Sequence, residues 1–330
     1  MKRLPFGYVV LAAVVLTAGA AIRAQESRIG VLPVQGNVYL LATPASNVVV
    51  QIGDDGVLLV DTGAAAAADD VLAAVRKLAD KPIRWIVNTS FDRDHTGGNE
   101  TLAKAGSGTP QNQFGSGRAF PGPLPSGAVI VAHEAVLTRM SAPTGVTPPT
   151  PQGAWPVGTY IGDRREMFFN GESIQIFHDP LAHTDGDSIV YFRHSDVVVA
   201  GDIFNTTSYP VIDLKTGGTI NGVIAGLNHL LDIVIPREKE EGGTYVIPGH
   251  GRVADEGDLV AYRNMVTIIR DRIQDGIKRG MTLDQIKATK PTAGYDRRWS
   301  SQAWTPDMFV EAAYRTLSTP PAATTQREAR

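Results

Sequence analysis

The sequence predicts an α/β protein made of two mixed halves, each with a mostly antiparallel sheet, packed sheet on sheet with helices outside. Three observations carry this. Short β-branched runs are separated by Gly, Pro and Asp-Gly turn signals. Strand and helix patterns alternate, and the alternation occurs twice. The chain's 330 residues, 43% hydrophobic and 20% charged, are enough to bury a large core in the manner of an ordinary globular protein.

In chain order, residues 38–41, 47–52 and 57–60 read as an antiparallel meander. An Ala/Leu-rich helical pattern over 64–79 then feeds a strand at 83–88. The second round has a strand at 128–131, a helix at 134–139, strands at 173–177, 188–192 and 197–200, and a helix at 221–233. A strand at 244–247 runs into Pro248-Gly249-His250-Gly251, and amphipathic helices at 258–279 and 305–317 close the chain. A single domain over 28–317 is expected, with a flexible tail over 318–330. Two stretches, 106–127 and 141–160, are dense in Gly, Pro, Ser and Thr. They read either as surface loops or as flaps over a pocket that set substrate choice.

The first residues, Met1-Lys2-Arg3, are basic, and an apolar stretch from Tyr8 to Ile22 precedes the polar Gln25-Glu26-Ser27. This is the pattern of a secretory signal over 1–24, cleaved after Ala24 or Ala20; an uncleaved anchor is the alternative. The expected location is periplasmic or secreted, with no stable membrane association after cleavage. A formal charge of -3 and the lack of a long Lys/Arg run argue against nucleic acid and for a small-molecule substrate. The chain has no cysteine, so a transition metal must be held by His, Asp or Glu.

Four short motifs fall where predicted strands end: Ser90-Phe91-Asp92-Arg93-Asp94-His95, Ala182-His183-Thr184-Asp185-Gly186-Asp187, Ala200-Gly201-Asp202 and Pro248-Gly249-His250-Gly251. Side chains at the ends of neighbouring strands converge, and neutral imidazole mixed with ionised carboxylate suits a divalent ion. With Val60-Asp61-Thr62-Gly63 and the continuation Thr96-Gly97-Gly98-Asn99, these motifs resemble, in order, those of the metallo-β-lactamase superfamily. The resemblance implies a four-layer αββα sandwich and a metal-dependent hydrolase whose zinc sites lie at one edge of the sandwich. It also implies that Asp94, His95 and His250 hold one ion, that Asp202 bridges, and that Asp61 lies buried beneath the site.

The leading family motif is His-x-His-x-Asp-His, and here its first two histidines are Ser90 and Asp92. Of the second ion's three histidine positions only His183 is kept. Three consequences are open. Asp92 can ligate with His183 and Asp202, giving an oxygen-rich position that favours iron, manganese or magnesium over zinc. Alternatively one zinc binds and Asp92, beside Asp94, is the catalytic base. As a third alternative, the fold keeps only a ligand-binding role. A serine hydrolase is poorly supported, since no Gly-x-Ser-x-Gly elbow precedes a helix.

The remaining histidines have plainer readings. His133, His194 and His229 read as surface or hydrogen-bonded residues, and His178 as structural. Asp61 can serve as a helix cap as well as a support for the site. Asp185 and Asp187 read as turn residues, Arg93 as solvent-facing or paired with its acidic neighbours, and the Glu238–Glu241 run as a solvated turn.

Overall fold

The computed structural model describes residues 29–108, 126–142, 149–239 and 242–318. The signal at 1–24, most of the 106–127 stretch, part of 141–160, Glu240 and Glu241, and nearly all of the tail lie outside the described residues.

The first sheet has six strands in sequence order: β1 (Gly30–Gln35), β2 (Val38–Ala42), β3 (Asn47–Gly53), β4 (Gly56–Val60), β5 (Ile83–Val87) and β6 (Val129–Val131). β1 to β4 pair antiparallel, whereas β4, β5 and β6 are parallel neighbours. Each parallel step requires a crossover, supplied by α1 (Ala68–Leu78) and then by α2 (Arg93–Thr96) and α3 (Asn99–Ala105). The second sheet has the order β11 (Tyr245–His250), β10 (Val197–Asn205), β9 (Ser188–Phe192), β8 (Glu172–His178), β7 (Arg164–Phe169). Only β10 and β11 run parallel, joined through α5 (Ile220–Ile233). The remaining helices are α4 (Glu134–Ser141), α6 (Glu256–Lys278), α7 (Leu283–Ala288), α8 (Asp296–Trp299) and α9 (Pro306–Ser318).

Strand periodicity explains the layering. Leu58 and Val60 of β4 and Trp85 and Val87 of β5 face Ile174, Val190, Phe192 and Val199 of the other sheet, forming the central core. Their alternates Val57, Leu59 and Ile86 face outward, yet they are buried too, under Val71 and Val75 of α1 and Leu102 of α3. Both faces are covered, which is why β4 reads as an unbroken apolar run and β5 as one interrupted only by Arg84. The second sheet's outer face carries α5, α6 and α9 through Leu227, Tyr262, Val266 and Phe309. The result is the predicted αββα order.

The sequence reading omitted β1, β7 and the short helices α2, α3, α7 and α8. β1 and β7 are edge strands with mostly exposed or half-buried residues, so their apolar periodicity is weak. The helices α2 and α8 are four residues long, too short to show a period. The described part of the 141–160 stretch is not a flap. Val157 and Gly158 donate to the Ile130 carbonyl, Ala154 accepts from Asn99, and Tyr160 bridges His133, so the segment packs alongside β6. The described ends of the 106–127 stretch are anchored, with Ser107 donating to the Ile83 carbonyl and Ala128 to that of Ala103.

Candidate metal centre

Every sequence-predicted site residue arrives at one edge of the sandwich. The chain leaving β5 turns through Ser90 and Asp92 into α2, which carries Asp94 and His95. The β8–β9 loop presents His183, β10 presents Asp202, and β11 ends on His250. Asp202 is aimed by a bulge. β10 slips register on both sides of Gly201, whose φ is +53° and whose missing side chain leaves room for Thr89. Gly249 on the neighbouring strand lies against Asp202 Oδ1, and any side chain there would collide with it.

Two groups of ligand atoms result: Asp94, His95 and His250, and Asp92, His183 and Asp202. Asp202 joins them. Its Oδ1 is 3.2 Å from Nε2 of both His95 and His250, and its Oδ2 is 3.7 Å from His183 Nε2. His250 Nε2 is also 3.4 Å from Asp94 Oδ2, and Asp92 Oδ2 is 2.9 Å from His183 Nε2.

The tautomers decide what this arrangement can accept. His95 Nδ1 donates to Asp61 Oδ2 at 2.7 Å, and His183 Nδ1 donates to the Val211 carbonyl at 2.9 Å. With each Nδ1 carrying the proton, the Nε2 lone pair of a neutral ring faces a carboxylate oxygen, and two electron-rich atoms need a positive charge between them. A proton or a cation meets that need. His95 Nε2 and Asp202 Oδ1, although 3.2 Å apart, are not aligned for a hydrogen bond, and both are buried without a partner. Two orphaned donor atoms pointing into a shared space, ringed by further His and Asp ligands, fit a divalent ion.

The field has the same sense. Burial works against charge on His183, but the hydrogen bond with Asp92 and the charges of Asp202 and Asp187 raise it to about 10. Burial also opposes charge on His95 and His250, and in both Asp202 overcomes it and raises the pKa. Asp202 itself is held well below the usual carboxylate range: burial pushes it up, and His95, His250 and His183 outweigh that. What favours a proton on these rings favours a cation among them.

The supports are buried. Asp61 is 2% exposed, sits at φ +60°, and accepts from Thr89 N, Thr89 Oγ1 and His95. It caps no helix; its carboxylate orients His95, and the capping reading is set aside. Thr62 donates to the His95 carbonyl and to Asn99 Oδ1, and Asn99 exchanges amide hydrogen bonds with Asn88. Asn47 Nδ2 ties the Pro248 and Gly251 carbonyls, fixing the end of β11. Asp187 accepts from Thr184 N and Oγ1, closing the turn that presents His183, and burial pushes it up to about 6.

The other candidates have structural places. His133 caps α4 and stacks on His178, whose Nε2 meets the Asp185 carbonyl. Asp185 pairs with Arg139, His229 pairs with Asp179, and Arg93 faces solvent. Ser90 is buried and 3.4 Å from Asp92 Oδ2, a weak hydrogen bond.

A cavity of about 440 Å³ opens on the metal groups. Beyond Asp92, Asp94, His183, Asp202 and His250, it is lined by Asn205, Thr207, Ser208 and Val211 and by a C-terminal segment, Ser301, Ala303 and Trp304. None of these was singled out from sequence, and no described residue of 141–160 lines the cavity. Asn205, three residues past Asp202 on β10, is the one that motif spacing could have flagged. Trp304 is held by its indole N–H on the Pro210 carbonyl, and Tyr262 donates to the Ser208 carbonyl, so the C-terminal helices brace this wall.

The sequence profile of the metallo-beta-lactamase superfamily matches residues 33–250. A linear primary-alkylsulfatase from Pseudomonas sp. is 24% identical over 273 residues, covering 73% of this chain and 50% of that protein, so the chain spans about half the length of this curated relative. Among solved structures, the DIM-1 metallo-beta-lactamase superposes with a TM-score of 0.52 at 16% identity, covering 73% of this chain and 97% of that one. The stereoselective inverting sec-alkylsulfatase Pisa1 from Pseudomonas sp. gives a TM-score of 0.60 at 14% identity, covering 87% of this chain and 50% of that one. At such identities the structural likeness speaks to fold alone. The profile match, ending at His250 and covering all the metal-group residues, is the broader finding: the chain belongs to the metallo-beta-lactamase superfamily.

Proposed function

We propose that this chain is an exported hydrolase that uses zinc, with iron or manganese as candidates at its oxygen-rich position, to cleave an ester, lactone, β-lactam-like amide or phosphoester bond of a small molecule. The observation that supports it is the pair of imidazoles, His95 and His183, whose Nδ1 protons are committed while their Nε2 atoms face carboxylate oxygens. Asp94, His95 and His250 would hold one ion, Asp92 and His183 a second, and Asp202 would be shared. A divalent ion there supplies Lewis acidity, making water's proton easier to remove and offsetting negative charge on an oxygen of the substrate.

The chain's own residues then divide the remaining work. Asp61 and the Val211 carbonyl fix the two rings and their tautomers. Asp92 uses Oδ2 toward His183, and its Oδ1 has no partner among the described residues while the residue lines the cavity. That free oxygen is the proton acceptor for water, so one carboxylate serves as both ligand and base. Asp94 lines the cavity beside His250 and would complete the first ligand group.

Elemental analysis of anaerobically purified and reloaded protein, run beside an ester, lactone, β-lactam and phosphodiester panel, tests the reading. Two ions per chain and turnover above the metal-free background are expected; no turnover at any metal loading leaves the ligand-binding alternative. The alkylsulfatase relative gives a second reading, cleavage of a sulfate ester, and adds that substrate class to the panel.

A further inference from the structure

We propose that Asn205 is a catalytic residue of this site that donates its side-chain N–H to the carbonyl oxygen of an uncharged acyl substrate, a carboxylic ester or lactone. The inference rests on the hydrolase reading above and narrows its substrate class.

The argument begins with the other end of the amide. Asn205 Oδ1 accepts from Thr207 N at 2.7 Å, Thr207 Oγ1 at 2.8 Å and Ser208 N at 3.1 Å. Two of those are backbone N–H groups, which only donate, so the oxygen must face them and the amide cannot be flipped. Nδ2, with two N–H donors, therefore points the other way. It finds no acceptor among the described residues, although Asn205 is only 8% exposed. It is not sealed in the core either, since Asn205 lines the cavity alongside Asp92, Asp202 and His250 and pairs across the sheet with His250. A buried amide held rigidly with an unspent donor beside the reacting groups is what a developing oxyanion requires.

The rest of the lining selects the substrate. Among the described residues it contains no Lys or Arg; it offers three aspartates, the hydroxyl-bearing Thr207, Ser208 and Ser301, apolar Val211 and Ala303, and one face of Trp304. The Trp304 N–H is committed to Pro210, so the indole presents only apolar surface. A neutral donor in a cavity whose described residues include three aspartates and no Lys or Arg matches a carbonyl better than a sulfate or phosphate, which would have the ions alone as cationic partners. In the reaction the water oxygen bonds to the acyl carbon, and the carbonyl π pair moves onto the oxygen held by Asn205. Collapse restores the carbonyl and breaks the bond to the alkoxy oxygen. Asp92 takes one water proton and passes that proton to the leaving alkoxide, giving acid and alcohol.

The test compares metal-loaded wild type with Asn205→Asp, which keeps the oxygen that Thr207 and Ser208 need but lacks the donor, and with Asn205→Ala. For ester or lactone substrates kcat falls by about 10²–10³ in both variants, with KM changed only a few-fold and ion content unchanged. The carbonyl stretch of a bound ketone isostere, read by infrared difference, lies lower in wild type than in Asn205→Asp. Equal kcat and equal carbonyl frequency overturn the proposal, as does an activity loss that tracks loss of metal. Turnover confined to sulfate or phosphate esters overturns it while leaving the hydrolase reading standing. No turnover of any substrate by wild type ends that reading and this one together.

Discussion

The two metal groups share Asp202 but are built differently. The first rests on His95, fully buried and backed by the buried Asp61 with its three donors, so its ligand directions are set by the core. The second group is equally buried, with His183 inside and Asp92 half-buried at the start of α2, but the His183 ring, carried on a loop, is oriented by a single backbone carbonyl. The buried Asp61 network behind His95 makes the first group a fixture of the fold; the second, with its lighter support, is where a family scaffold can change ligands without refolding. That is where the substitutions Ser90 and Asp92 fall.

Four changes would break or sharpen this contrast. His95→Ala should have the largest effect: the first ion is lost, activity drops to the metal-free background, and Asp61 and Asp202 are left as buried charges that lower the melting temperature. A metal-replete, active variant would sink the assignment. Asp92→Asn should remove the second ion only, leaving one per chain by elemental analysis, with kcat reduced by about 10²–10⁴. Two retained ions with full activity would show that Asp92 is neither ligand nor base. Asp61→Asn should weaken metal affinity by about 10–100-fold, measured by competition with a chelator, with activity recovered at saturating metal; loss that metal cannot rescue would mean that Asp61 acts on more than His95.

The smallest effect concerns the loop that carries His183. His229 on α5 holds Asp179 at its base at 2.9 Å, and that hydrogen bond, against burial, raises the His229 pKa. A histidine raised on folding contributes stability that is complete below its unfolded pKa of about 6.5 and is lost as pH rises through the folded value. Melting temperature should therefore fall modestly over that window, the His229 side chain being 34% exposed, and His229→Gln should flatten the slope. An unchanged slope would disconnect this pair from the loop.

The six metal-group residues were legible because each lies in a short motif at a strand end, where local sequence and position in the sheet coincide. The core strands were legible for another reason: Val57–Val60 is apolar at every position and Ile83–Val87 at all but Arg84. What escaped depends on distance. Asn205's free donor is visible only once Thr207 and Ser208 fold back on its oxygen, and no residue near Trp304 in sequence signals that it reaches Pro210. For the glycine- and proline-rich stretch 141–160, surface loop and flap both stayed open because composition does not reveal that Val157 and Gly158 lean on Ile130. Its described residues do not line the cavity, which takes part of its wall from Ser301, Ala303 and Trp304 near the far end of the chain.

That wall also orders events in time. By the time a chain emerging from its N-terminus has reached His250, every ligand of both metal groups has been delivered, yet the cavity is still open on one side. Tyr209 meets Trp299 and Asp296, and Pro210 meets Trp304, about ninety residues later in the chain, so the loop bearing Thr207 and Ser208 gains its bracing last. The proposed ion site and the wall that would decide what may enter it are thus specified by different stretches of the chain, the first complete at His250 and the second only at Trp304.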